Sequence, residues 1–207
     1  MADSAADREA GRVGSMAWLR AAGAVSLGSE RRLLWSVAEG RRGRRWRWSL
    51  QRAGSIEHAV LLELDPAGRP TRLEATSASG LLTLHPELAE GGLHGNLVTP
   101  NGVEHLSLPW LPDAVVDVVD GFGPFALAAA VGEGLSVGEA IELPTVTVDR
   151  FLRPVPGRAR LARLAERTWS LEPGSPPGVR RSAWTGSLDD AGRPMLDGGR
   201  VWPLELD

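Results

Sequence analysis

The chain has 207 residues, 43% of them apolar, and a formal charge of −3 at neutral pH. That length and apolar content suit one ordinary domain with a real core, and the negative balance removes any bulk attraction to polyanions. Cysteine is absent, which excludes disulfides, thiol chemistry and thiolate metal sites, and no run of about 18 apolar residues offers a membrane span.

Residues 1–30 read as an N-terminal tail or short helix. Their start, MADSAADREA, is acidic, and the apolar patch from Met16 to Leu27 is broken by Arg20. An export signal has neither feature, so a cytoplasmic protein is expected. Residues 31–207 read as a single β-rich domain. Leu33 to Glu39 and Arg44 to Arg52 flank GRRG, a short turn with glycine at both ends. In the second segment Trp46, Trp48 and Leu50 share one face while Arg45, Arg47, Ser49 and Gln51 share the other. That is the period of two of a half-buried strand.

HAVLLELD and TRLEATSA follow, joined by DPAGRP at 65–70, where Asp, Pro and Gly make a tight hairpin tip. GLLTLHP, GLHGNLV and GVEHLSLPW read as three more short strands. The last two are joined across TPNG, whose Asn-Gly is a strong hairpin signal. After the apolar run AVVDVVD the pattern breaks at GFGPFALAAAVGEG. Pro124 suits the first turn of a helix, the alanines favour it, and the glycines at 132 and 134 stop it. A helix apolar on all sides belongs inside the fold. Strands resume with EAIELPTVTVD, RARLARLA, RTWSLEP, GVRRSAWTG and RVWPLEL. A second tip, DDAGRP at 189–194, echoes the first. The fold class expected is mostly β (α+β): a strongly curved antiparallel β-meander or half-barrel packed around one short apolar helix.

The RRWRWSLQR strand, the DPAGRP tip, and VTPNGVEHLSLPW ahead of an apolar segment give residues 33–206 a likeness in strand order and turn style. In these the chain resembles the LolA-like lipoprotein carriers and the bacterial glycolipid-binding proteins that share their open half-barrel. The resemblance implies a bent antiparallel sheet wrapped around helical segments, with an apolar cavity for lipid. It carries over no functional residue.

Candidate chemistry is sparse. RRGRRWRWSLQR, residues 41–52, packs six arginines and two tryptophans into one segment. Residues 1–52 hold eleven arginines against five acidic residues, a net +6, while 53–207 carry −9. Arginine with aromatics is a composition of single-strand nucleic-acid binders. Alternation, however, places these tryptophans and arginines on opposite faces, whereas a stacking platform needs them together. All 23 basic residues are arginine, so arginine also does the surface work that lysine shares elsewhere. A half-solvated strand is expected here, and nucleic acid is not the expected partner.

GLSVG at 134–138 matches G-x-S-x-G, but a helix precedes it and a strand follows, the reverse of a nucleophile elbow. Ser136 is therefore not expected to be a nucleophile. The four histidines, His58, His85, His94 and His105, form no local metal clip, although the TPNG hairpin could bring His94 and His105 together. Neither metal nor cofactor is expected. Asp117, flanked by valines, reads as a buried carboxylate with a partner. The eight tryptophans either fill a curved sheet or line a cavity in it.

The function expected is non-catalytic binding of a lipid-like or other apolar small molecule in the concavity of the sheet. Its lining would be Trp35, Trp46, Trp48, Trp110, His58 and His105. Two alternatives stand beside it. One is an enzyme acting on an apolar molecule in the same cavity. The other is a partner-binding or nucleic-acid-binding domain that uses the arginine-rich strand 41–52.

Overall fold

The computed structural model describes residues 20–87, 91–118, 122–174 and 183–203. Fifteen strands and one α-helix are seen among them, arranged as two sheets around the helix. β1 (Arg20–Leu27), β2 (Arg31–Gly40), β3 (Gly43–Arg52), β4 (Ser55–Leu64), β5 (Pro70–Ser77), β6 (Gly80–Glu87), β7 (Gly92–Thr99) and β8 (Gly102–Pro109) run in sequence order as an antiparallel meander. β9 (Val115–Val118) then leads into α1 (Gly123–Val131). β10 (Ala140–Val148), β11 (Pro154–Ala165), β12 (Thr168–Pro173), β13 (Trp184–Leu188) and β14 (Pro194–Met195) form the second sheet with β9. β15 (Arg200–Pro203) returns to the first sheet beside β1. The mostly β class with one enclosed helix agrees with the sequence.

Two features differ from a single meander. β9 and β10 pair in parallel, with α1 in the crossover between them. Parallel neighbours require such a long connection, and the helix supplies it. The second feature is β1, which lies in the segment read as a tail. Its sequence, RAAGAVSL, lacks an alternation of large apolar residues. Small residues are what the site requires: a Cβ on Gly23 would stand 2.4 Å from the Trp35 indole. The rest of the tail reading, residues 1–19 with Trp18, lies outside the described residues. So do 178–182 and 204–206 of the late strand readings, and Val119 and Asp120 of AVVDVVD.

The core lies between the two sheets and contains α1. Gly123 to Ala129 are all buried, as a helix apolar on every side requires. Phe122 is the hub of an aromatic cluster. Its ring centroid lies 6.0 Å from Trp35, 6.1 Å from Trp46, 5.3 Å from Trp48 and 5.5 Å from Phe125. Trp184 meets Phe125 edge-on at 4.8 Å. These separations are those of favourable tilted and T-shaped pairs.

Three hairpin tips share one construction. In each, an aspartate amide donates to the carbonyl of an arginine four residues on, as in Asp65–Arg69, Asp149–Arg153 and Asp189–Arg193. Each aspartate Oδ1 also accepts two backbone amides, at 2.8 to 3.0 Å. The fourth residue is left-handed: Gly68 (φ 78°), Leu152 (φ 63°) and Gly192 (φ 72°). Glycine enters that region without the Cβ clash that costs other residues about 1–2 kcal/mol. Leu152, 3% exposed, offsets its cost by packing in the core. Because leucine replaces glycine, the middle copy, DRFLRP, is not visible as a repeat in the sequence. In the outer two copies the arginine Nε donates back to its aspartate Oδ2, at 2.8 and 2.6 Å. Arg153 instead pairs with Glu104 on β8 and ties the second sheet to the first.

Burial pushes the Asp65 carboxyl up, but hydrogen bonds from Arg69 and Ala67 and the Arg69 charge outweigh it and hold it below its ordinary value. A depressed carboxylate stabilises the fold fully above its unfolded value of about 3.9, and the contribution is lost as pH falls through the lower folded value. Asp65→Asn is therefore expected to reduce the dependence of melting temperature on pH below about 4. An unchanged acid limb in that variant would show that the turn does not hold the proton off.

Candidate functional site

The six sequence-derived ligand residues do not share one hollow, although Trp35 and Trp48 both border an open groove on the outward face of β2 to β6. Trp35, Trp46 and Trp48 point inward, 3%, 0% and 3% exposed, and pack on Phe122. Trp110 is also buried and joins the same core. His58 occupies an inward position of β4 and is half-buried. His105 is on the opposite, outward face of the first sheet, its Nδ1 2.6 Å from Asn96 Oδ1. The concavity of the sheet is thus occupied by α1 and indole rings.

The other candidates are equally plain. Ser136 lies in an exposed loop between α1 and β10, where its amide donates to Glu139 Oε2 at 2.7 Å. Asp117 is buried, opposite Thr147 in the parallel β9–β10 pair and beside the start of α1. His85 and His94 face each other across β6 and β7. Among the described residues no group of three or more His, Asp or Glu side chains could hold a metal ion.

The arginines of β3 are mostly paired. Arg45 meets Glu63 at 2.5 Å and Arg52 meets Glu57 at 2.8 Å. Arg44 contacts Glu39 at 3.2 Å and donates to Ala129 O at 3.1 Å, which satisfies a carbonyl in the last turn of α1. Arg47 has no acceptor among the described residues. A depression of about 500 Å³ lies beside the β2–β3 turn, lined by Arg41, Arg42, Arg44 and Arg45 with Glu39 and Glu63.

A second hollow lies where the sequence placed none. It is an open groove of about 530 Å³ across the outward face of β2 to β6. Strand register explains it. One row across the sheet reads Leu34, Ser49, Ala59, Thr76 and Leu81. The adjacent row reads Ser36, Arg47, Leu61 and Glu74. Small side chains, Ser49 and Ala59 in the middle and Ser36 at the β2 end, leave a trough. Leu34, Leu61 and Leu81 supply apolar wall, with Ile56 at one end. Ile56 is 63% and Leu81 37% exposed.

A sequence signal for this groove exists. Three Leu-Leu doublets, 33–34, 61–62 and 81–82, break the alternation of their strands. In each, one leucine is buried inside (Leu33, Leu62, Leu82) and its neighbour faces the groove. A strand with one solvated face does not need the second leucine.

No helix among the described residues is long and apolar enough to cross a membrane. No protein-family model and no curated protein matches the chain. Among solved structures, the chain is similar to the crystal structure of a DUF1089 family protein from Pseudomonas aeruginosa. The two are 15% identical over 84% of this chain and 86% of the other, with a TM-score of 0.46.

Proposed function

We propose that the protein is a non-catalytic binder of a lipid-like apolar small molecule, and that the ligand lies in the outward groove of β2 to β6 rather than in the sheet's filled interior. The observation that carries this reading is the groove itself, about 530 Å³ with Leu34, Ile56, Leu61 and Leu81 along it. Ligand sites usually fall between about 300 and 1,000 Å³, with mainly apolar walls and a few polar groups.

The groove crosses four strand spacings, about 19 Å, long enough to take an extended chain of about a dozen carbons together with its head group. Each buried methylene contributes about 0.8 kcal/mol. A groove open on one side covers about half of such a chain, for roughly 5 kcal/mol before the cost of association. Affinity from the tail alone is then no tighter than about 0.1 mM.

Calorimetric titration with dodecanoate, dodecanol and an alkyl glycoside tests the proposal. Saturable binding to the wild type is expected, and it should persist at high salt because the force is apolar. Ala59→Trp, which fills the trough, should abolish it. Equal binding by wild type and Ala59→Trp, or no binding of any of the three ligands, would contradict the reading.

A further inference from the structure

We infer that the groove selects an amphiphile with an anionic head group and holds that head on Arg47, flanked by Ser36 and Ser49. The inference rests on the groove reading above and adds the ligand's polar end. Arg44, Arg45 and Arg52 on the same strand each have a carboxylate partner. Arg47, alone among the groove-lining residues in carrying a positive charge, has none among the described residues. Its neighbours in register are Ser36 on β2 and Leu61 on β4, neither of which can balance a cation.

The acid in the groove is Glu74, on the far side of Leu61, and it is already paired with Arg72. One uncompensated positive charge is therefore left beside an apolar trough. Ser36 lies directly opposite Arg47, and Ser49 is two residues along the same strand on the same face. Their hydroxyls make no hydrogen bond among the described residues, so both can donate to an oxyanion. A guanidinium with two hydroxyl donors suits a carboxylate or a phosphate oxygen. From there the row Ser49, Ala59, Thr76 and Leu81 leads a tail away across the sheet. The occupant is a single fatty carboxylate, whose chain the trough can hold, and not the surface of a bilayer.

The full chain is titrated with dodecanoate and dodecanol below their aggregation concentrations, as wild type, Arg47→Gln and Arg45→Gln. Arg45 has its own acid partner and stands outside the groove, so it controls for general surface charge. The wild type is expected to bind dodecanoate about tenfold more tightly than dodecanol, the worth of one charged hydrogen-bonded contact. Arg47→Gln should bring dodecanoate affinity down to that of dodecanol, while Arg45→Gln should keep the preference. Equal binding of both ligands in all three proteins would overturn the head-group inference and leave the groove reading intact. The same loss in both variants would also overturn it, as would binding to anionic vesicles without binding to dissolved dodecanoate. No binding of either ligand to the wild type would overturn the groove reading with it.

Discussion

Trp46→Ala is expected to destabilise the protein by about 3–5 kcal/mol, the usual cost of removing a large buried aromatic side chain. Trp46 is 0% exposed. It contacts Trp35 at 6.4 Å and Phe122 at 6.1 Å, between the meander and the approach to α1. Its indole Nε1 has no hydrogen-bond partner among the described residues, so its contribution is packing and transfer from water rather than polar bonding. The cavity left by alanine would lie among rings that rest on one another, which limits collapse. Arg45→Ser, one residue away and on the solvated face, should change stability by no more than about 0.5 kcal/mol. Denaturant midpoints of the two variants test the assignment of the faces. Equal effects would mean that the 41–52 strand is not divided into a buried indole face and a solvated arginine face.

Gly95→Ala should be a strongly damaging single-methyl addition within a strand of the first sheet. Gly95 sits mid-strand in β7, opposite Leu84 on β6 and Leu106 on β8. A Cβ there would stand 2.0 Å from Thr83 O and 2.9 Å from Leu84 Cδ2. The first of these is backbone inside a ladder and cannot swing aside, so β6 and β7 would have to separate. Overpacking costs about 1–3 kcal/mol and occasionally more, which for a domain of this size lowers the melting temperature by about 3–10 °C. Gly40→Ala is the control, since nothing lies within 4 Å of its Cβ position. It should be neutral or slightly stabilising. A Gly95→Ala protein that melts with the wild type would mean that β6 and β7 do not approach so closely.

Much of the fold was legible because the forces that make it are local. Trp46, Trp48 and Leu50 alternate with arginines, and that pattern alone orients β3. DPAGRP and DDAGRP declare their turns by residue type. Phe125 to Ala129, apolar throughout, could not be a surface helix. What escaped was set by neighbours distant in the chain. β1 is rich in alanine and glycine because Trp35 lies over it, which its own residues do not reveal. The third Asp-to-Arg turn was hidden by a leucine in a left-handed position that only core packing sustains. The tryptophans were known to be interior, but whether they fill the interior or line a hollow depends on Phe122 and α1, which meet them from far along the sequence. The groove is the clearest case. Leu34 and Leu81 are 47 positions apart, and the small residues between them matter only once five strands lie side by side.

An apolar ligand seated on the outward face of β2 to β6 would touch one isoleucine and not the other. The chain's two isoleucines allow a direct test: Ile56 lines the groove, and Ile141 lies on β10 in the other sheet. With isoleucine δ1-methyl labelling, the methyl spectrum should hold two resonances. Titration with dodecanoate should move the Ile56 signal saturably and leave Ile141 in place. A saturable shift at Ile141 with Ile56 unmoved, or no shift at either as ligand reaches millimolar concentration, would contradict the assignment of this groove as the binding site.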